Sequence, residues 1–257
     1  MSMSVDDLLN LARRVREAVI PYIGSKSELG RRGAGGDLMR KIDSIADAEV
    51  RKIAERYDVG IVSEESGIRK RGKGFLVIDP VDGSANADRG IKFASVSVAY
   101  ASGEKASSLE MGAVVDIFTG DEYYAIRKEG SYKNGKKLEI EDFRGPPVIY
   151  APCRKNTVLL RELKDISIRD LGSIALGLCY SAEGIFDAVI DLGNFVRAFD
   201  IAAGILIVKE AGGSVFSNED FPLDDVRRHI SFAAGKKEVV LALLEKTGFS
   251  LRELFAD

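Results

Sequence analysis

Apolar and polar positions alternate along this chain in two periods, and the change of period marks the elements. A first amphipathic stretch predicts a helix from about Val5 to Val19, with Ser4 and Asp7 spaced as a capping box and Pro21 ending it. Ile45, Ala46, Val50, Ile53 and Ala54 then recur at helical spacing behind Asp43, which predicts a second helix to about Tyr57. Short apolar runs follow and read as strands: Gly60 to Ser63, Phe75 to Asp79, Ser95 to Ala101, Met111 to Asp116 and Glu122 to Arg127. Asn134-Gly135, between Ser131-Tyr132 and Leu138-Ile140, is a hairpin turn signal. This first half reads as α+β with an antiparallel, strand-rich sheet.

Gly145-Pro146-Pro147 interrupts the pattern, and the boundary between an N-terminal lobe (1–145) and a C-terminal lobe (146–257) is placed there. The second half alternates strand and helix. Strands are expected at Val148 to Ala151, Ser167 to Asp170, Ala188 to Asp191, Ser214 to Phe216 and Ile230 to Ala234. Helices are expected around Thr157 to Lys164, from Ile174 to Glu183, through Phe199 to Val208, and from Lys237 to Lys246. That is an α/β pattern. The Gly/Arg stretch from Gly30 to Gly36 has no apolar strand before it and reads as a mobile loop.

Candidate chemistry gathers at the ends of the apolar runs. Phe75-Leu76-Val77-Ile78 leads into Asp79-Pro80-Val81-Asp82-Gly83-Ser84-Ala85-Asn86. Two carboxylates leave a buried strand three residues apart, beside a glycine that lets backbone N–H groups approach a ligand. Carboxylates suit a hard divalent cation, and exposed N–H groups suit an oxyanion such as phosphate. The same letters also make an ordinary turn. Three further groups weigh against the plain turn. Ile61-Val62 ends in Ser63-Glu64-Glu65-Ser66-Gly67, Asp200 opens an apolar helix stopped by Gly212-Gly213, and Asp43 opens another. Read singly, Asp200 and Asp43 could each be a helix N-cap.

Together these motifs resemble the inositol monophosphatase superfamily of magnesium-dependent, lithium-sensitive phosphatases. Within it the chain is similar to the compact archaeal branch that acts on inositol monophosphate and fructose 1,6-bisphosphate. The resemblance rests on SEES at Ser63 to Ser66, DPVDGSAN at Asp79 to Asn86, FDIAAGILIVKEAGG at Phe199 to Gly213 and LGSIALGLCYSAEG at Leu171 to Gly184, and runs from about Leu8 to Ala234. It implies a layered αβαβα sandwich with the site between the halves. It implies two or three magnesium ions held by Glu64, Asp79, Asp82, Asp200 and the backbone carbonyl of Val81. Asp43 and Ser84 are implied to orient and deprotonate the attacking water, with Glu64 on the metal that activates it and Glu65 less directly involved. Asp82, Gly83, Ser84, Arg169, Ser173 and Arg197 are the candidate substrate contacts. One departure stands out. Relatives carry Gly-Ala-Asp-Gly before the Asp43 helix, whose acid helps with a third metal; here the stretch is Gly33-Ala34-Gly35-Gly36-Asp37. Either Asp37 substitutes, or the third metal binds weakly.

Composition narrows the alternatives. The chain has 257 residues, 46% hydrophobic and 30% charged, as expected of a soluble globular protein. Its net charge of −3, from 37 basic and 40 acidic side chains, argues against a general nucleic-acid binder. No signal peptide and no membrane span are expected, which predicts a cytoplasmic protein with no membrane partner. Cys153 and Cys179 read as buried thiols. The lone His229 reads as a surface residue, which removes Ser-His-Asp and His-rich zinc chemistry. The expected partner is a small phosphorylated sugar or cyclitol, and the expected assembly a homodimer. Two rival readings stand beside this one. The first is a phosphatase of another small phosphate ester, such as 3'-phosphoadenosine 5'-phosphate. The second is a noncatalytic sugar-phosphate-binding protein on the same fold.

Overall fold

The computed structural model describes residues 3–141, 145–152 and 165–255. The chain opens with α1 (Val5–Val19), whose Ser4 accepts from Asp7 N while Asp7 accepts from Ser4 N. That capping box is worth about 1 kcal/mol. The hairpin β1 (Glu28–Arg32) and β2 (Leu38–Arg40) follows, then α2 (Lys41–Ala54). The next strands are β3 (Gly60–Ser63), β4 (Gly67–Arg69) and β5 (Phe75–Asp82), with α3 (Ser84–Arg89) directly after. The meander β6 (Ser95–Ala101), β7 (Leu109–Asp116), β8 (Glu122–Ile126), β9 (Gly130–Lys133) and β10 (Lys136–Leu138) completes an eight-stranded sheet. Only β3 and β5 pair in parallel within it; the other ladders are antiparallel.

The second half contributes β11 (Val148–Tyr150), β12 (Ser167–Arg169), α4 (Ile174–Ala182), β13 (Ala188–Val196), α5 (Ala198–Glu210), β14 (Ser214–Ser217), β15 (Ile230–Gly235), α6 (Lys237–Thr247) and β16 (Arg252–Glu253). Its six strands run in the order β12-β11-β13-β15-β14-β16. The strand–helix alternation holds, but the sheet is mixed. β11 pairs in parallel with β12 and β13, whereas β15 inserts antiparallel between β13 and β14.

Side-chain alternation along the strands builds the layers. Leu76, Ile78, Val96, Val98, Ala113 and Val115 face α1 and α2. Val62, Val77, Ala99 and Val114 face the other way, onto α4 and α5. Those two helices are apolar on nearly every face because they lie between the sheets. The outer face of the smaller sheet, with Ile149, Ile190 and Ala233, packs on Val240, Leu243 and Leu244 of α6. The result is the αβαβα sandwich expected of the chain, with one hydrophobic cluster shared by both halves.

Three local expectations need correction. The Gly/Arg stretch forms the β1–β2 hairpin, with Glu28 opposite Arg40 and Arg32 opposite Leu38; every β1 side chain is exposed, so no apolar run announces it. α2 ends at Ala54 rather than near Tyr57. Asp43 and Asp200 are not N-caps but stand one turn inside their helices, each folding back on a preceding arginine. Cys179 is a buried free thiol; Cys153 and the helix expected around Thr157 to Lys164 lie outside the described residues. Among the described residues no helix is long and apolar enough to cross a membrane.

Candidate active site

β5 carries the first part of the site. Strand alternation places residues three apart on opposite faces. Between Asp79 and Asp82, however, the ladder to β6 slips: Asp79 lies opposite Ser97, and Asp82 opposite Ser95. β5 therefore has one residue more than its partner, at a Pro80-Val81 step where proline offers no N–H to the ladder. The bulge turns both carboxylates to one side, and both line the same cleft of about 490 Å³. Gly83 then adopts φ +87°, and a Cβ there would lie 3.0 Å from the carbonyl oxygens of Gly172 and Phe93. The chain turns at that glycine into α3, which presents Ser84 to the cleft.

Each acid has its own support. Asp79 Oδ1 accepts from Val81 N at 3.0 Å. Asp82 Oδ2 accepts from Ser173 Oγ at 2.6 Å and from Ala175 N at 2.7 Å, at the start of α4. Asp200 Oδ2 accepts from Arg197 N at 2.6 Å. Glu64, at the end of β3, has no such N–H anchor; its Oε1 lies 3.3 Å from Arg197 Nη2. Asp43 Oδ2 accepts from Arg40 N at 2.7 Å, and the neighbouring Ser84 hydroxyl favours its ionised form.

Burial and crowding shape the electrostatics. Burial, then the charge of Asp200, pushes the Glu64 carboxyl well up. Burial, then Glu64, Asp82 and Asp200, does the same to Asp79. Burial lifts Asp82 to about 7 against the opposing bond from Ser173. It lifts Asp200 to about 6 against the charge of Arg197. Asp43 is raised to about 6 by burial, opposed by the N–H and the charge of Arg40. Glu65 is pushed up to about 8 by burial and by Asp43 and Asp47. Acids that raise one another's pKa are a natural seat for cations.

The donor set fits a hard divalent ion: carboxylates and a backbone carbonyl, with no thiol or imidazole among them. Among the described residues, no three acidic, histidine or cysteine side chains already converge as a ready coordination sphere. A guanidinium instead stands among the acids. Arg197 donates to Asp37 Oδ2 at 2.5 Å and to the Gly35 carbonyl at 2.7 Å, besides its contact with Glu64.

This contact explains the glycine at position 35. A Cβ there would lie 2.8 Å from Arg197 Nη1 and 3.3 Å from Glu64 Cγ. The hairpin tip is pinned to the β3 end by Gly35 N to Glu64 O at 2.8 Å and Ala34 N to Glu65 O at 3.1 Å. Asp37 lines the same cleft and is held there by Arg197.

Glu64, Asp79, Val81, Asp82, Gly83, Ser84, Arg197 and Asp200 all line the cleft. Asp43 is buried behind Ser84. Two expected substrate contacts are placed elsewhere. Ser173 is fully buried and faces Asp82 instead of the cleft. Arg169 is exposed at the end of β12, donates to the Ile168 carbonyl, and is not among the lining residues. His229 is exposed, with Nδ1 2.8 Å from Phe195 O. Sequence reading missed Arg40, which lines the cleft and donates to Ser84 Oγ at 3.2 Å. Its signal was present: Arg40-x-x-Asp43 repeats the spacing of Arg197-x-x-Asp200.

Comparison with known proteins agrees with this geometry. Residues 7–247 match the model of the inositol monophosphatase family. A fructose-1,6-bisphosphatase/inositol-1-monophosphatase of Archaeoglobus fulgidus is 32% identical over 249 residues, covering 91% of this chain and 94% of that protein. A bifunctional NADP phosphatase/NAD kinase of Methanococcus maripaludis is 33% identical, covering 80% of this chain and 42% of that longer protein. The crystal structure of an inositol monophosphatase–fructose 1,6-bisphosphatase superposes with a TM-score of 0.84 at 28% identity, covering 95% of this chain and 100% of that one. Matched over nearly its whole length, and with an acid-lined cleft where its motifs meet, the chain belongs to the inositol monophosphatase family and is a phosphoric monoester hydrolase.

Proposed function

We propose that the protein hydrolyses inositol 1-phosphate and fructose 1,6-bisphosphate by attack of an activated water, with magnesium held in the acid-lined cleft. One observation carries this reading: Glu64, Asp79, Asp82 and Asp200, brought from three separate elements, line one cleft. A phosphate monoester is a dianion with a poor leaving group, and such a cleft would repel it without cations. Glu64, Asp79, Asp82, Asp200 and the Val81 carbonyl would hold two or three magnesium ions, which supply charge neutralisation, a more acidic water and a stabilised leaving oxygen.

The rest of the work falls to the chain itself. Asp43 and Ser84 orient the attacking water and take its proton; Asp43, at about 6, is ionised and a competent base near neutral pH. Backbone N–H groups at Gly83 and Ser84 receive the phosphate oxygens. Ser173 and the start of α4 hold Asp82 in place, so that it presents its free oxygen to the cleft. No residue of the site is an activated nucleophile, and no phosphoenzyme is required.

Substrate choice turns on the cations of the cleft. An inositol monophosphate has one charged group, whereas the bisphosphate has a distal phosphate that calls for a guanidinium. Arg197 is the candidate on the cleft wall. To serve it must release Asp37, whose side chain is 68% exposed and therefore a weakly held partner. Arg169 would have to leave its contact with Ile168 and swing inward. The NADP phosphatase relative favours a second reading, a larger phosphorylated substrate in the same cleft. Phosphate release from inositol 1-phosphate, fructose 1,6-bisphosphate, NADP and 3'-phosphoadenosine 5'-phosphate, with magnesium, tests both. Turnover of NADP alone would replace the sugar-phosphate reading, and no turnover of any would leave a binding protein.

A further inference from the structure

Arg40 stands at the junction of β2 and α2 and touches both members of the water-activating pair. Its backbone N–H donates to Asp43 Oδ2 at 2.7 Å, and its guanidinium Nη1 donates to Ser84 Oγ at 3.2 Å. The side chain is 22% exposed, lies on the cleft wall, and has its Nε 3.9 Å from Asp88 Oδ2. Asp88 is itself buried on α3, where its Oδ1 accepts from Ser27 N at 3.0 Å and Ser25 Oγ at 3.2 Å. The guanidinium is thus fixed from behind and aimed at one hydroxyl.

We propose that Arg40 is a positioning residue that sets the direction of proton transfer through Ser84; the inference rests on the water-activation reading given above. A serine hydroxyl has one hydrogen and two lone pairs. A guanidinium has donors only and does not deprotonate in proteins. With Arg40 on one lone pair, the Ser84 hydrogen must point away from it, and the neighbouring carboxylate of Asp43, which Ser84 helps to keep ionised, is the acceptor offered to it. The second lone pair is left for a water in the cleft. As the water attacks phosphorus, its O–H bond breaks and a new one forms on Ser84 Oγ. The original Ser84 O–H bond breaks as one forms on Asp43. One proton leaves the water and one arrives at Asp43; a lone pair of the water oxygen forms the new P–O bond, and the P–O bond to the alcohol breaks with its electron pair on the leaving oxygen, which takes a proton from solvent.

The charge of Arg40 has a second effect, because it opposes the burial that raises Asp43. The other groups facing Asp43 are Ser84 and Asp88 from α3 and Glu65 from the turn after β3. The two acids raise Asp43 or are raised by it, and the charge of Arg40 opposes that rise.

Arg40→Gln and Arg40→Lys, assayed by steady-state phosphate release from inositol 1-phosphate across pH, test the proposal. Arg40→Gln should lower kcat by about ten- to a hundred-fold, the range for a charge-assisted hydrogen bond. KM, the magnesium half-saturation point and inhibition by inorganic phosphate should hardly move. The acid limb of the kcat profile should shift to higher pH, because Asp43 loses its cation. Arg40→Lys keeps the charge but not the fork, so the limb should return while kcat stays low. Adding Arg40→Gln to Ser84→Ala should cost little more than Ser84→Ala alone.

A fall in thermal stability with kcat and the acid limb unchanged would make Arg40 a strut between Asp88 and the hairpin. A rise in KM and in the phosphate inhibition constant, with kcat intact, would make it a phosphate contact instead. Either result overturns the positioning role. If Ser84→Ala alone keeps full turnover, it is the water-activation reading that fails; if Ser84→Ala is slow but the double variant is additive, only the role of Arg40 fails.

Discussion

Two helices at the cleft open with the same local device in different surroundings. α2 opens on Arg40-x-x-Asp43 and α5 on Arg197-x-x-Asp200; in each the aspartate folds back to accept the backbone N–H of the arginine, at 2.7 and 2.6 Å. Burial then lifts both carboxyls to about 6. The backbone geometry is shared, and the surroundings divide the two. Asp43 stands beside the hydroxyl of Ser84. Asp200 lies near Glu64 and Asp79, and its charge makes both harder to ionise. The arginines part in the same way: Arg40 donates to the Ser84 hydroxyl with Asp88 behind it, whereas Arg197 sits among Asp37, Glu64 and Asp200. A capping pattern read from sequence locates an acid at a helix start, but only the facing element tells whether that acid moves a proton or holds a cation.

The largest effect expected from breaking this division is at the Asp200 corner. Asp200→Asn should lower kcat/KM by about a thousand-fold or more, the scale of losing metal-derived stabilisation of a transition state. It should also raise the magnesium concentration needed for half activity. Retained magnesium affinity, read by titration calorimetry, would place Asp200 outside the metal set. The next largest is at the Asp43 corner. Ser84→Ala should cut kcat by roughly a hundred-fold, within the general-base range, while calorimetry shows magnesium binding unchanged. Loss of magnesium affinity in that variant would join the two corners into one.

Much of this division was legible in the sequence. The Asp79 to Asn86 stretch and Glu64 could be picked out because each follows an apolar run read as a buried strand, and Asp200 because it opens an apolar run read as a buried helix. The fold was legible for the same reason: strands such as Gly60–Ser63 and Ser95–Ala101 are short apolar runs with clear ends. The β1–β2 hairpin was not, because its exposed strands carry no apolar alternation and its pairing depends on tertiary anchors at Glu64 and Glu65. The β5 bulge was not legible either, since an extra residue shows only against its partner strand. Arg40 was passed over because an arginine before a helix reads as a surface charge; its role comes from Ser84, far along the chain. Ser173 was placed near the substrate, but the fold turns it inward to Asp82.

A smaller effect should distinguish the two arginines. Arg197→Ala should lower kcat/KM by about ten-fold for fructose 1,6-bisphosphate, the low end for a charge-assisted contact, and by less for inositol 1-phosphate. Equal losses on the two substrates would confine Arg197 to holding the hairpin through Asp37 and Gly35.

The smallest effect concerns stability. Asp43 and Asp200 at about 6, Asp82 at about 7 and Glu65 at about 8 all lie above ordinary carboxyl values. Acids raised on folding contribute stability that is present at low pH and lost as pH rises through the folded values. The melting temperature of the metal-free protein should therefore fall by a few degrees from about pH 5 to about pH 8, and magnesium should restore more at the higher pH. A melting temperature that rises over that window would mean the acids are not crowded as described.

The proposed work of the carboxylates in this cleft is to hold divalent cations for phosphate ester hydrolysis. Phosphate release from inositol 1-phosphate, measured after chelation and dialysis and again after adding magnesium, in the wild type and in Asp79→Asn, tests it most directly. The account predicts that the wild type loses its activity on chelation and regains it with magnesium, while Asp79→Asn stays inactive in both. Full wild-type turnover after chelation, or full turnover by Asp79→Asn, would contradict it.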